Sequence, residues 1–143
     1  MDTPNSIVYS VTADSTGGRA GTSTVDALGL TLDLRAPKEL GGPGGRANPE
    51  ALFAMGYGAC FQGAMGLAAK QMGIDTANSV VRTTVGFGPE GESYAITATL
   101  EVFVPGVEVD RVQALADRAH ELCPYSKATR GNVPVTVKAV PAL

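Results

Sequence analysis

Asn48-Pro49-Glu50-Ala51-Leu52-Phe53-Ala54-Met55-Gly56-Tyr57-Gly58-Ala59-Cys60-Phe61-Gln62-Gly63-Ala64-Met65-Gly66-Leu67-Ala68-Ala69-Lys70-Gln71-Met72-Gly73 is the stretch on which the fold turns. Asn48 is a capping residue, Pro49 suits the first helical position, and Glu50 favours the positive end of a helix dipole. Gly73 suits the position just past a helix end. The spacing predicts one helix over 49–72. From Ala51 to Ala69 nineteen consecutive residues carry no charge, which is near membrane-spanning length. Glycines and alanines dilute the hydrophobicity, however, Gln62 stands at the middle, and no Lys/Arg cluster or aromatic belt flanks the run. A core helix is expected, with no membrane insertion. A helix apolar on every face must be surrounded. One sheet of a 143-residue chain does not readily do that, so a second sheet or a second subunit is expected.

Before this helix the chain reads as strands. Ile7 to Val11 is β-prone, Thr16-Gly17-Gly18 is a turn, and Arg19 to Val25 and Leu28 to Leu34 read as two more strands. The alternation Leu30-Thr31-Leu32-Asp33-Leu34 suggests one buried face. Gly41-Gly42-Pro43-Gly44-Gly45 is a loop. After the helix, Val80 to Phe87 and Tyr94 to Val104 read as a hairpin. Asp110 is expected to cap a second helix, amphipathic through Val112, Leu115, Ala116, Ala119 and Leu122. Pro124 to Thr129 reads as a short helix with Cys123 at its N-cap, and Val133 to Val140 as a last strand. Strands first, then helices among hairpins, predict an α+β fold in a single domain over 1–143.

The totals exclude several classes of function. Net charge is −3 and no basic cluster is present, which argues against a nucleic-acid partner. The opening Met1-Asp2-Thr3-Pro4-Asn5 has neither a basic nor an apolar signal region, and a cytoplasmic location is expected. Cys60 and Cys123 are the only cysteines and His120 the only histidine. No Cys-x-x-Cys spacing exists, so a metal site is not expected. In a reducing compartment a structural disulfide is rare. Redox chemistry between two distant thiols is the leading reading, beside the bland one of two unrelated core cysteines. A reactive thiol needs a nearby cation or a helix start. Cys123 has the second. Cys60, in mid-helix, needs a cation from elsewhere, and Arg19, Arg35, Arg46 and Lys70 are the candidates. His120, three residues before Cys123, reads either as a base for that thiol or as a partly buried polar residue.

Five runs then carry a resemblance: Gly17-Gly18-Arg19, Pro37-Lys38-Glu39-Leu40-Gly41-Gly42, Asn48-Pro49-Glu50, Gly56-Tyr57-Gly58-Ala59-Cys60-Phe61, and Cys123-Pro124-Tyr125-Ser126-Lys127-Ala128-Thr129-Arg130-Gly131-Asn132. In order and spacing the chain resembles the organic hydroperoxide resistance (Ohr) proteins of the Ohr/OsmC superfamily. It departs where the family commonly has alanine at Gly56 or Gly58, glutamine at Ala51 and an acidic residue at Pro134.

The resemblance implies a thiol peroxidase. By it, Cys60 attacks the peroxide and becomes a sulfenic acid, and Cys123 resolves that to a disulfide. Arg19 pairs with the Cys60 thiolate, and Glu50 orients Arg19. The reductant would be dihydrolipoyl groups on a lipoylated protein, with no bound cofactor. Phe53, Leu52, Phe61, Met65 and Tyr125 are candidates for an apolar site that takes alkyl or lipid hydroperoxides. An OsmC-type peroxidase of broader range and a non-catalytic thiol sensor or apolar-ligand binder are the alternatives. Glu50 and Cys60 are ten residues apart on one helix, roughly 15 Å along its axis. An antiparallel second copy would bring Glu50 to Cys60. The fold expected is therefore OsmC/Ohr-like, antiparallel sheets wrapped around long central helices in an intertwined homodimer, with Glu50 acting across the interface.

Overall fold

The computed structural model describes all residues 1–143, and the chain forms two compact units, Met1–Leu52 and Phe53–Leu143. In the first, β1 (Asp14–Thr16), β2 (Thr22–Val25) and β3 (Leu30–Asp33) make an antiparallel sheet in that order. Ser15 opposes Ser23 and Thr24 opposes Thr31. A single turn of 3-10 helix, Gly18–Ala20, joins β1 to β2. It needs Gly21, where an added Cβ would stand 1.8 Å from the Thr16 carbonyl oxygen. After β3, Leu34 bridges to Ala47 in parallel fashion, which brings the chain back to the helix start. Leu34 is the one buried hydrophobic side chain in this unit.

The expected strand over 7–11 is not formed. Ile7, Val8, Tyr9 and Val11 lie outside any element and are exposed. β-propensity reflects fit to a neighbouring strand more than an intrinsic backbone preference, and no strand of this chain pairs with them. The strand expected from Arg19 starts only at Thr22, because Gly18–Ala20 coil first. The alternation from Leu30 buries one end only: Leu34 is buried, while Leu30 is exposed.

The helix predicted over 49–72 is α1 (Pro49–Met72). The Ala51 amide donates to Asn48 Oδ1 at 2.8 Å, so the cap is made. Gly73 ends the helix in a left-handed conformation, φ 63°, where glycine carries no Cβ penalty. In the second unit, Tyr57, Phe61, Ala64, Met65, Ala68 and Ala69 of α1 are buried, the i, i+4, i+7, i+8 stripe of a core helix. The stripe meets Ala98, Leu100 and Val102 of β5 and Val112, Leu115, Ala116 and Ala119 of α2 in one cluster. Each large side chain sealed in it contributes about 1.5–3 kcal/mol. By length and composition α1 could cross a membrane, a test that soluble core helices also pass. Its mid-helix Gln62 donates to the Ser79 carbonyl at 2.9 Å. The other side of α1 is not surrounded within the chain: Met55 is 71% and Leu67 60% exposed.

The hairpin is longer than expected, β4 (Val80–Glu90) with β5 (Ser93–Phe103), turning at Gly91. The strand β6 (Val135–Ala139) adds to β5 in parallel, so this sheet is mixed. Helix α2 (Val109–Leu122) starts after Glu108; Asp110, expected as its cap, lies in the first turn instead. Helix α3 (Pro124–Thr129) follows with Cys123 at its N-cap, as the sequence predicts. The α+β class holds.

Candidate active site

Cys60 and Cys123 are 63 residues apart in sequence and side by side in space. Both are free thiols, and Cys123 Sγ donates to Cys60 Sγ at 3.5 Å. Cys60 is half-buried, whereas Cys123 has no exposed surface. The thiol that meets solvent is therefore on α1, and its neighbour stands behind it at the α2–α3 junction.

Burial pushes the Cys60 thiol up, the Tyr125 backbone amide works against that, and the adjoining Cys123 thiol raises it further. Tyr125 is the second residue of α3, and first-turn amides have no partner within their own helix. The start of α3 thus favours the Cys60 thiolate. The sequence had pointed to Cys123, but that side chain makes no cap hydrogen bond.

Arg19 and Glu50 meet within the first unit as a two-pronged pair. Arg19 Nη1 donates to Glu50 Oε2 at 2.7 Å and Nη2 to Oε1 at 2.6 Å. The hydrogen bond from Arg19 is the main reason that the Glu50 carboxyl is held below its ordinary range. The planar fork of arginine matches a carboxylate in a way lysine cannot. The pair is made inside one chain, which corrects the expectation that Glu50 reaches Arg19 across an interface.

Three aromatic rings pack on one another, two from the helix that carries Cys60 and one from the helix that follows Cys123. Phe53 and Tyr57 meet edge to face with centroids 5.8 Å apart, and Tyr125 lies 6.4 Å from Phe53 and 6.0 Å from Tyr57. Gly56 permits this approach, since a Cβ there would stand 3.3 Å from the Tyr125 ring. Tyr125 is 42% exposed. Of the other candidate substrate contacts, Phe61 and Met65 have no exposed surface and pack in the core, while Leu52 is partly exposed and ends the first unit. No group of three or more His, Cys, Asp or Glu side chains could hold a metal.

Three residues escaped the sequence reading. The Tyr57 hydroxyl shares a hydrogen bond of 2.9 Å with Ser126 Oγ and one of 3.3 Å with Thr129 Oγ1. Ser126 Oγ in turn stands 2.7 Å from His120 Nδ1. The Nδ1 of His120 is therefore engaged by a serine. Burial, then the charge of Arg130, lowers the His120 pKa, against a smaller pull from Asp117. The available signal was spacing: Tyr57 is three residues before Cys60, and Ser126 three after Cys123.

The site thus holds two free thiols in contact, one reachable and one sealed, and the same chain carries an arginine–carboxylate pair. The sequence model of the family described as OsmC-like protein matches residues 42–138. The chain is 42% identical over 139 residues to the organic hydroperoxide resistance protein of Xanthomonas axonopodis pv. citri, covering 96% of this chain and 98% of that one. The solved structure of the organic hydroperoxide resistance protein OhrB of Bacillus subtilis superimposes with a TM-score of 0.84 at 36% identity, covering 94% of this chain and 100% of that one. A Legionella pneumophila structure described as an organic hydroperoxide resistance protein OsmC gives 0.88 at 37% identity, over 94% and 98%. The chain belongs to the OsmC-like family, on its organic hydroperoxide resistance branch.

Proposed function

We propose that this protein is a cysteine-based peroxidase that reduces organic hydroperoxides to alcohols. The observation that carries the reading is the 3.5 Å contact between the half-buried Cys60 and the sealed Cys123. In the first step the Cys60 thiolate attacks the peroxide O–O bond. The sulfur keeps one oxygen as a sulfenic acid, and the alkoxide leaves and takes a proton to become the alcohol. In the second, the Cys123 sulfur attacks the Cys60 sulfur. The sulfenic hydroxyl leaves with the Cys123 proton as water, and a disulfide remains. Two electrons from a dihydrolipoyl group on a lipoylated protein then restore both thiols in the cytoplasm.

A thiol raised by burial needs a countercharge to ionise near neutral pH. Arg19, held by Glu50, is the group proposed to supply it and to polarise the peroxide. The rings of Phe53 and Tyr125, which reach solvent, favour an apolar substrate tail, at about 25 cal/mol per Å² of apolar surface buried. The active form is proposed to be an intertwined homodimer. The exposed Met55 and Leu67, the open space around Gly63 and Gly66, and the unpaired β-prone segment from Ile7 support that assembly.

Steady-state turnover with an aromatic or fatty-acid hydroperoxide and dihydrolipoamide tests the reading. Turnover with a clear preference over hydrogen peroxide is expected. Oxidation of the thiols without turnover would mean a sensor, and equal efficiency for hydrogen peroxide would remove the apolar site.

A further inference from the structure

Tyr57, His120 and Ser126 belong to α1, α2 and α3, and their polar atoms converge within hydrogen-bonding distance. Tyr57 and Ser126 have no exposed surface, and Thr129, 4% exposed, closes the group by donating to the Ser126 carbonyl at 3.0 Å. Apolar residues of like shape would pack such a point without any polar group to satisfy. The hydroxyls join three helices at a fixed geometry. Either tautomer of His120 completes the chain. With Nδ1 bare, Ser126 donates to it and accepts from Tyr57. With Nδ1 protonated, the donors run from His120 to Ser126, to Tyr57, to Thr129.

The position of this chain relative to the thiols gives it a use. Tyr57 precedes Cys60 by three residues on α1, and Ser126 follows Cys123 by three in a turn closed by the Lys127 amide on the Cys123 carbonyl, 2.9 Å. Residues three apart share a helix face. The Tyr57–Ser126 bond and the Cys60–Cys123 contact are therefore adjacent rungs of one antiparallel ladder between α1 and α3.

Resting on the reading of Cys60 and Cys123 as the reacting pair, we infer that Tyr57, Ser126 and His120 are positioning residues for disulfide formation. By holding α3 against α1 one turn from the thiols, they keep the Cys123 sulfur within reach of the Cys60 sulfenic acid. Their effect falls chiefly on the second step, because the first does not use the Cys123 sulfur. A loosened Cys123 lowers the effective concentration of the resolving thiol and leaves the sulfenic acid exposed to a second peroxide, which converts it to sulfinic acid.

The test uses the reduced full-length protein, cumene hydroperoxide and rapid quenching with a thiol-alkylating reagent. Cys60 sulfenic acid, disulfide and sulfinic acid are followed by mass spectrometry. In Tyr57→Phe and Ser126→Ala, disulfide formation should slow by about tenfold more than the first oxidation does, and sulfinic acid should accumulate. In a dithiol redox buffer the equilibrium constant for the disulfide should fall by about tenfold, which moves the potential up by about 30 mV. His120→Asn, which keeps a hydrogen-bonding group beside Ser126, should retain the wild-type potential better than His120→Ala. Those two variants at a half-buried position decide the matter if Ser126→Ala does not fold. Equal slowing of both steps, or unchanged partition and potential in Tyr57→Phe and His120→Ala, overturns the positioning role. A wild-type protein that forms no disulfide overturns the reading of the thiol pair instead.

Discussion

Cys60 stands under opposed influences. Burial and the Cys123 thiol raise it, and the Tyr125 amide lowers it. Burial is the largest of these, and the proposed role of Arg19 is to offset it with a positive charge. Arg19→Ala should move the alkylation pH profile of Cys60 upward, and Arg19→Lys should restore it poorly, because an ammonium lacks the fork that Glu50 holds. An unchanged profile in Arg19→Ala removes Arg19 from the site. The same ion pair has a consequence for stability. The folded chain holds the Glu50 carboxyl below its ordinary range, so the unfolded chain binds that proton more readily. The stabilisation is complete above about pH 4.3 and is lost as pH falls through the folded value. His120, lowered by burial, acts with the same sign from about pH 6.5 downward. Urea midpoints should therefore fall on acidification, and Glu50→Gln should flatten the part of the curve below about pH 4.3. A curve identical in Glu50→Gln contradicts the pairing. Arg19 and Glu50 were legible as candidates because their runs resemble a family. The Tyr57–Ser126 bond was not, since a hydroxyl contact between residues 69 apart leaves no periodic trace.

Helix α1 could be read to the residue because its ends are set by local chemistry. Asn48 caps it, Pro49 opens it and Gly73 closes it. Asn48→Ala should cost about 1 kcal/mol by chemical denaturation, and a loss within error of zero would show that the cap is redundant. Strands were legible only where both partners lie in this chain. The β4–β5 hairpin was found, though longer than its β-prone cores, because an eleven-residue register extends pairing out to Glu90 and Ser93. The segment from Ile7 to Val11 has strand composition and no partner. The parallel placement of β6 could not be read either, since α2 and α3 intervene and a side-chain pattern does not encode strand direction.

The first 52 residues hold one buried hydrophobic side chain, Leu34. A unit of that size has little surface to bury by itself. That poverty, with the exposed apolar side of α1, is what the proposed homodimer would remedy. The protein should sediment as a dimer. If the Arg19–Glu50 pair of one copy serves Cys60 of the other, mixing inactive Cys60→Ser and Glu50→Ala chains under subunit exchange should return part of the activity. A fully active monomer, or mixtures with no recovery, would contradict a shared site. The central claim is that Cys60 and Cys123 act in sequence on one peroxide. Intact-mass measurement of the reduced protein after one equivalent of cumene hydroperoxide tests it. The wild type should lose two hydrogens and yield a Cys60–Cys123 linked peptide, Cys123→Ser should gain one oxygen at Cys60, and Cys60→Ser should stay unchanged. A wild-type mass that does not change, or oxidation of Cys123 in Cys60→Ser at the wild-type rate, would contradict it.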